Sequence, residues 1–347
     1  MFLKVFINAY FLPNINYPKV FYGGARKGSL GGPLVKVKKL EEFFPEQHFR
    51  FNIIYLLSNS LYLSPKSIYV LKKKNIPIVL NQNGVYYSQW FKGNWEKENS
   101  RMSKFYHSAD YVLWQSKFCR KAADKFLGKR LGFGEIIYNS VNTSIFKPAK
   151  KTDKKTFSFL ITGNITKNSN YRISSVLYAI NELINDYKFI NLKIAGKIED
   201  KRYFLKQIKF LKLENHVHFF SKYTQREAPK IYQNVDAYIT MAYQDNCPTA
   251  VLEAMACGLP ILYSSSGGIP ELVDKNSGLG LKVSENWKET IVPSRQSIKE
   301  GMIKIIENKS EMSSAARNRT IENFDSRDWI KKHEVIFESL IKKQNNF

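Results

Sequence analysis

Twice along this 347-residue chain, short apolar runs alternate with stretches of helical period, and few architectures accommodate that rhythm. In the first half, strands are expected at 3–9, 51–57, 77–80, 111–114 and 135–138. Helical patterns fall between them at 33–44, 65–74, 97–107 and 116–126. A polar, lysine-rich stretch at 149–156 reads as a linker. The alternation then restarts with strands at 157–162, 192–195, 217–220, 237–240 and 260–263, and the tail from 294 onward is helical. The expectation is an α/β protein of two doubly wound domains, 1–148 and 149–325, facing each other across a cleft. The last stretch, 326–347, is free to return to the first domain.

Within the second series one segment stands apart: Asp245-Asn-Cys-Pro-Thr-Ala-Val-Leu-Glu253-Ala-Met-Ala-Cys-Gly258-Leu-Pro260. Pro248 suits the first position of a helix, Gly258 the residue after its last turn, and Pro260 bars continuation. Between those ends every residue is apolar or small except Thr249 and Glu253. A helix apolar on all faces is buried, and a carboxylate inside it needs strong partners. Glu253 has no Lys or Arg three or four residues away, so its partner comes from elsewhere in the fold or from a ligand. The helix start, with free N–H groups and a positive dipole end, suits an anion such as a phosphate. Anion cradle and hydroxyl acceptor together suit a nucleotide diphosphate-sugar.

This segment resembles the signature of the family-4 retaining glycosyltransferases, which have the GT-B fold. The likeness rests on Asp245, Glu253, Ala254-Met255-Ala256-Cys257-Gly258-Leu259-Pro260 and Gly267-Gly268-Ile269-Pro270-Glu271. A weaker likeness runs through Gly31-Gly32 and Tyr138-Asn139-Ser140-Val141-Asn142. Two departures stand out. Asp245 replaces the usual Glu, one methylene shorter, and the usual Gly-Arg reads Gly163-Asn164. The resemblance implies that Glu253 binds the ribose hydroxyls and that Asp245 holds hydroxyls of the transferred sugar. It places Gly163, Asn246, Cys247, Thr249 and Ala250 around the donor. A Lys and an Arg neutralise the departing diphosphate, for which Lys167, ahead of Arg172, is the available cation. Gly31, Gly32 and Asn83 are candidates for a phosphate or acceptor loop in the N-terminal domain, where the helix 326–347 braces the fold. No metal and no cofactor is expected.

The net charge of +24 is uneven: residues 1–150 carry 24 basic and 8 acidic side chains, residues 151–347 carry 30 and 22. The bland account is a Lys-, Asn- and Ile-rich sequence bias. The sharper one is a polyanionic partner for the first half, an anionic bilayer or a charged glycan. Lys36, Lys38, Lys39 and Lys72-Lys73-Lys74 are the candidate contacts, and no aromatic-interleaved basic stripe points to nucleic acid. Three cysteines without CxxC spacing and a start too interrupted for a signal peptide suggest a cytoplasmic protein, at most peripheral at the inner membrane face. No apolar run is long enough to span a bilayer. Three functional classes follow: a sugar transferase using a nucleotide-sugar donor and a glycan or lipid-linked acceptor, a nucleotide-sugar epimerase of the same fold, or a basic glycan- or nucleic-acid-binding protein without catalysis.

Overall fold

Residues 3–9 do not form a strand. In the computed structural model, which describes residues 1–10, 16–23, 32–149 and 155–345, they lie in helix α1 (Phe2–Tyr10). Its buried residues, Val5, Asn8 and Ala9, have helical spacing. Asn8 Nδ2 donates to Phe51 O (2.8 Å) and Asn8 Oδ1 accepts from Phe51 N (2.9 Å). A short apolar run does not distinguish helix from strand by periodicity, and here tertiary contacts decide for the helix. The sheet edge is taken instead by β1 (Val20–Phe21), which pairs in parallel with β2 (Ile53–Leu57).

The first compact unit comprises residues 1–139 and 327–347. After β1 come α2 (Gly32–Glu41), β2, α3 (Pro65–Lys73), β3 (Ile78–Gln82) and α4 (Trp95–Ser108). They are followed by β4 (Tyr111–Trp114), α5 (Lys117–Phe126) and β5 (Phe133–Ile136). Among the described residues the strands form one parallel sheet in the order β1-β2-β3-β4-β5. Every residue of β2 and β3 is buried; β2 and the first three residues of β3 are accordingly apolar, and β3 ends on buried Asn81 and Gln82. Ile53, Tyr55 and Leu57 share a core with Val37 and Leu40 of α2. Trp329, Ile336, Phe337 and Ile341 of the last helix complete that core.

The second unit, residues 140–326, begins ahead of the expected boundary at 148. Hydrogen bonds explain the difference. Val141 N donates to Phe324 O (2.9 Å), Ser326 N donates to Val141 O (3.0 Å), and Arg317 donates to the carbonyls of Thr143 and Phe146. The unit runs through β6 (Phe157–Ile165), α6 (Tyr171–Leu183), β7 (Ile190–Ile198), α7 (Lys201–Phe210) and β8 (Val217–Phe219). It continues with α8 (Ala228–Gln233), β9 (Ala237–Thr240), α9 (Thr249–Ala256), β10 (Ile261–Ser265) and α10 (Ile269–Leu272). β11 (Gly278–Lys282), α11 (Arg295–Glu307) and α12 (Lys309–Phe324) follow, before α13 (Ser326–Asn345) supplies the first unit's closing helix. The sequence reading gives no strand at β11, where Gly278 and Gly280 weaken the signal.

The parallel order of this sheet is β11-β10-β9-β6-β7-β8. It reverses between β6 and β9, so the C-terminal ends of these two strands open at a topological switch point, where α/β sheets receive ligands. Below that point Phe159, Ile161, Leu192 and Ile194 pack with Val176 and Ile180 of α6 and Met302 of α11. Two parallel sheets flanked by helices, each in its own unit, constitute the α/β architecture of this chain.

Candidate active site

Strand β9 leads through Met241–Asn246 into α9, and this turn carries most of the predicted residues. Thr249 is the first helical residue and Pro248 occupies the cap, one place earlier than the sequence expectation. At the other end Gly258 has φ +73°, Gly258 N donates to Met255 O (2.9 Å), and Leu259 N donates to Ala254 O (3.0 Å). Arg317 closes that end by donating to Ala256 O (2.7 Å). At the helix start Thr249 and Ala250 hold N–H groups that helix geometry leaves without intrahelical acceptors. Cys247 differs: its N–H donates to Asp245 Oδ1 (3.2 Å) and so supports the carboxylate.

Asp245 is clamped through its backbone. Its carbonyl accepts from Gly268 N at 2.7 Å. Gly267 has φ +68°, and a Cβ there would stand 2.4 Å from Asp245 O and 2.7 Å from Asp245 N. No other residue fits so close to the turn without displacing it. The Gly-Gly pair and the acidic residue, far apart in sequence, are thus one piece of structure. Burial raises the pKa of the Asp245 carboxyl, while the Arg172 guanidinium and the N–H groups of Cys247 and Asn246 oppose that rise. Next to it, buried Gln244 has φ +54°, and neither its amide nitrogen nor its amide oxygen has a hydrogen-bond partner among the described residues.

Glu253 is 7% exposed, about one turn into the apolar helix. Its partners come from the β8–α8 region: Gln225 Nε2 donates to Oε1 (2.7 Å) and Tyr232 OH donates to Oε2 (2.9 Å). A carboxylate accepts through both oxygens, and these bonds orient it within the site. Thr162 Oγ1 lies 3.0 Å from Tyr238 OH and 3.3 Å from Tyr232 OH, extending a buried hydroxyl network from β6 to α8. Burial pushes the Tyr238 phenol up to about 12 and raises that of Tyr232 well above its ordinary value, so both are neutral hydrogen-bond donors near pH 7. Gln225, Tyr232, Tyr238, Thr162 and Gln244 were not singled out from the sequence. Nothing in their spacing marks them; they converge only because the switch point brings their elements together.

The two predicted cations separate. Arg172, at the start of α6, lies within electrostatic reach of Asp245, Tyr171 and Tyr238, and its Nε is buried without a hydrogen-bond partner. Lys167 sits exposed on a short 3-10 turn, Lys167–Ser169, where its backbone N–H donates to Glu199 Oε2 (3.0 Å). Arg172 is thus the cation whose charge acts on Asp245, while Lys167, the cation preferred for the departing diphosphate, lies on the exposed turn. Gly163, at the end of β6, has φ +138°, and its neighbour Asn164 is exposed.

In the first unit Gly31 lies outside the described residues, and Gly32 opens α2. Asn83 belongs to a polar network at the C-terminal end of β3. Lys36 Nζ donates to Asn83 Oδ1 (2.8 Å) and Asn81 Oδ1 (3.2 Å), and Gln115 Nε2 donates to the same two oxygens. Asn139 Nδ2 donates to Gln115 Oε1 (3.5 Å) and Asn81 Nδ2 to Tyr55 OH (2.9 Å). Lys36 is 6% exposed and engaged inward, which removes it from the lysines available to an external surface. Lys72 is likewise tied to Asp110.

Residues 141–324, more than half of the chain, match the family described as Glycosyl transferases group 1. This chain belongs to that family. Among relatives of this glycosyl transferase is a probable sucrose-phosphate synthase of Thermosipho melanesiensis, 24% identical over 223 residues, which are 60% of this chain and 50% of that protein. Another is the N-acetyl-alpha-D-glucosaminyl L-malate synthase of Bacillus anthracis, 23% identical over 219 residues, 61% of this chain and 55% of the relative. The chain spans about half the length of these curated relatives. Among solved structures, Anabaena Alr3699/HepE in complex with UDP and glucose aligns over 92% of this glycosyl transferase and 86% of its own chain, with a TM-score of 0.64 and 18% identity. A glycosyltransferase from Rickettsia africae ESF-5 aligns over 91% and 84%, with the same TM-score and identity. At that identity the likeness is one of fold, and it is the GT-B fold expected from the sequence.

Proposed function

We propose that this chain is a retaining glycosyltransferase of the family-4 type, moving a sugar from a nucleotide-diphosphate-sugar to an acceptor hydroxyl in a cell-surface glycan. The observation that carries the reading is the juxtaposition at the switch point of the second unit. Asp245 is fixed by the Gly267–Gly268 turn beside Arg172, and Glu253 is oriented inside α9, the helix that follows Asp245. In this reading Glu253 accepts from the ribose hydroxyls and Asp245 from hydroxyls of the departing sugar. The N–H groups of Thr249 and Ala250, with Gly163, face the diphosphate. Arg172, assisted by Lys167, stabilises the negative charge that grows on the diphosphate as the glycosidic bond breaks, the term that dominates such a reaction. The unpaired amide of Gln244 is the kind of buried polar group that a bound sugar satisfies. The chain's own groups suffice for this charge stabilisation, so the reaction is proposed to run without a metal.

The first unit takes the acceptor in this reading, with Asn83 and its amide network near the acceptor hydroxyl. Its excess of basic side chains favours a lipid-linked acceptor and docking at an anionic membrane face. Among the described residues no helix is long and apolar enough to cross a membrane.

The experiment is release of nucleoside diphosphate from a panel of nucleotide-sugars. UDP-sugars come first, since UDP is bound in the Anabaena structure. Release from one sugar donor, with the α-anomer of that donor preserved in the product, supports the proposal. Absence of release across the panel, together with no rise in Tm on adding any nucleoside diphosphate, rejects it.

A further inference from the structure

Helix α1 turns its apolar side outward. Phe2, Leu3, Phe6, Ile7 and Tyr10 are 40, 68, 39, 41 and 50% exposed. At spacings of one, three and four they form a continuous stripe along the helix, opposite the face that buries Val5, Asn8 and Ala9. Phe2, Phe6 and Tyr10 lie in a row of tilted ring contacts, with centroids 6.1 and 4.6 Å apart. Beside them runs α3, whose Tyr69 is 67% exposed, and between the two helices lies a groove of about 450 Å3. Monomeric proteins seldom leave an apolar stripe of this kind uncovered.

The charged side chains on these two helices are of one sign. Helices α1 and α3 contain no Asp or Glu. Lys66, Lys73 and Lys74 line the groove, and Lys74 Nζ sits 4.0 Å from the centre of the Tyr10 ring. Lys72 is held by Asp110, so Lys66 and Lys73 are the exposed cations free to face outward. Aromatic and aliphatic side chains on one strip, bordered by lysines long enough to keep their ammonium groups in a polar layer, match the boundary of a bilayer.

We infer that α1 and α3 together form the membrane-docking face of this chain, with the α1 stripe inserted shallowly and the α3 lysines on anionic headgroups. This deepens the membrane reading proposed above and rests on it. It relocates the contact to α1 and α3 and away from α2, whose Lys36 is turned inward.

The test is sedimentation of the full chain with phosphatidylcholine vesicles and with phosphatidylcholine/phosphatidylglycerol vesicles, at low and physiological salt. The wild type binds the anionic vesicles preferentially, and salt weakens the binding within the Debye regime. Lys66→Gln/Lys73→Gln lowers partitioning roughly thirtyfold. Leu3→Ser/Ile7→Ser lowers it at least roughly tenfold, and Lys38→Gln/Lys39→Gln in α2 has a smaller effect. All substituted side chains lie outside the core, and an unchanged Tm confirms that each variant folds. Wild-type affinity in both α1 and α3 variants overturns the inference while leaving membrane docking by another face. Absence of wild-type binding to either vesicle overturns both, and nucleoside diphosphate release in vesicle-free buffer then judges the transferase reading separately. Self-association that Leu3→Ser/Ile7→Ser abolishes, without vesicle binding, assigns the stripe to a second copy and overturns the inference as well.

Discussion

The two parallel sheets end in opposite chemistry. At the C-terminal edge of the second unit stand two carboxylates, Asp245 and Glu253, the first tempered by Arg172 and the second by Gln225 and Tyr232. At the corresponding edge of the first unit stands an ammonium, Lys36, surrounded by the amides of Asn81, Asn83 and Gln115. One carboxylate, Asp245, lies in the turn ahead of α9 and is held by a backbone clamp; the other, Glu253, lies within that short helix. The ammonium site is assembled from α2, the ends of β3 and β4, and Asn139. Acceptors of hydroxyl protons therefore gather in the unit carrying the family signature, and neutral amides around a cation in the other. Proton-accepting groups suit a polyhydroxyl donor; an amide and ammonium cluster can position an acceptor without removing its proton.

The sharpest way to break this contrast is at the clamp. Gly267→Ala forces a Cβ into Asp245 backbone at a positive φ, and should cost about 4 kcal/mol of stability in the second unit. Denaturant unfolding followed by donor titration checks it. A stable variant with normal donor affinity would remove the clamp from the argument.

A second effect belongs to the first unit. His333 of α13 is buried, with Nδ1 2.8 Å from Trp329 O, and burial lowers its pKa from 6.5 to about 4, with Lys36 adding to the shift. Between pH 6.5 and 4 the unfolded chain binds a proton that the folded one refuses. Stability is therefore lost as pH falls through that window, by about 3 kcal/mol in total. His333→Gln should flatten this stretch of the Tm–pH curve.

Glu253→Gln is expected to weaken nucleoside diphosphate binding by about 2 kcal/mol while the protein stays folded, since one charged acceptor becomes neutral. Calorimetry showing equal affinity in variant and wild type would end the ribose assignment. The smallest change sharpens the other side. Lys36→Met should raise the acceptor KM and cost roughly 1–2 kcal/mol of stability, leaving donor affinity in place. A loss of donor affinity instead would mean that the two edges are not chemically separate.

A related kinetic comparison distinguishes the cations. Arg172→Ala should depress kcat roughly a hundredfold with little change in donor affinity. Lys167→Ala, on its exposed turn, should depress it less. Stopped assays at saturating donor decide the order.

The segment 245–260 could be read before any coordinates because its information is local. Apolar residues on every helix face, a proline at one end and a glycine at the other leave little choice but a short buried helix. The strands expected at 51–57, 111–114 and 237–240 were equally legible, since short, mostly apolar runs of that length mark strands buried on both faces, and they form at 53–57, 111–114 and 237–240. What the sequence left open was decided by packing. Residues 3–9 became a helix because Asn8 found the backbone of Phe51. Arg172 rather than Lys167 met Asp245 because α6 begins beside the switch point, and Lys36 turned inward because two amide oxygens from β3 and its loop await it. Composition and local period fix which residues must be buried and how a short helix starts and stops. Which distant side chains satisfy a buried charge depends on strand order, and strand order exists only once the sheet has formed.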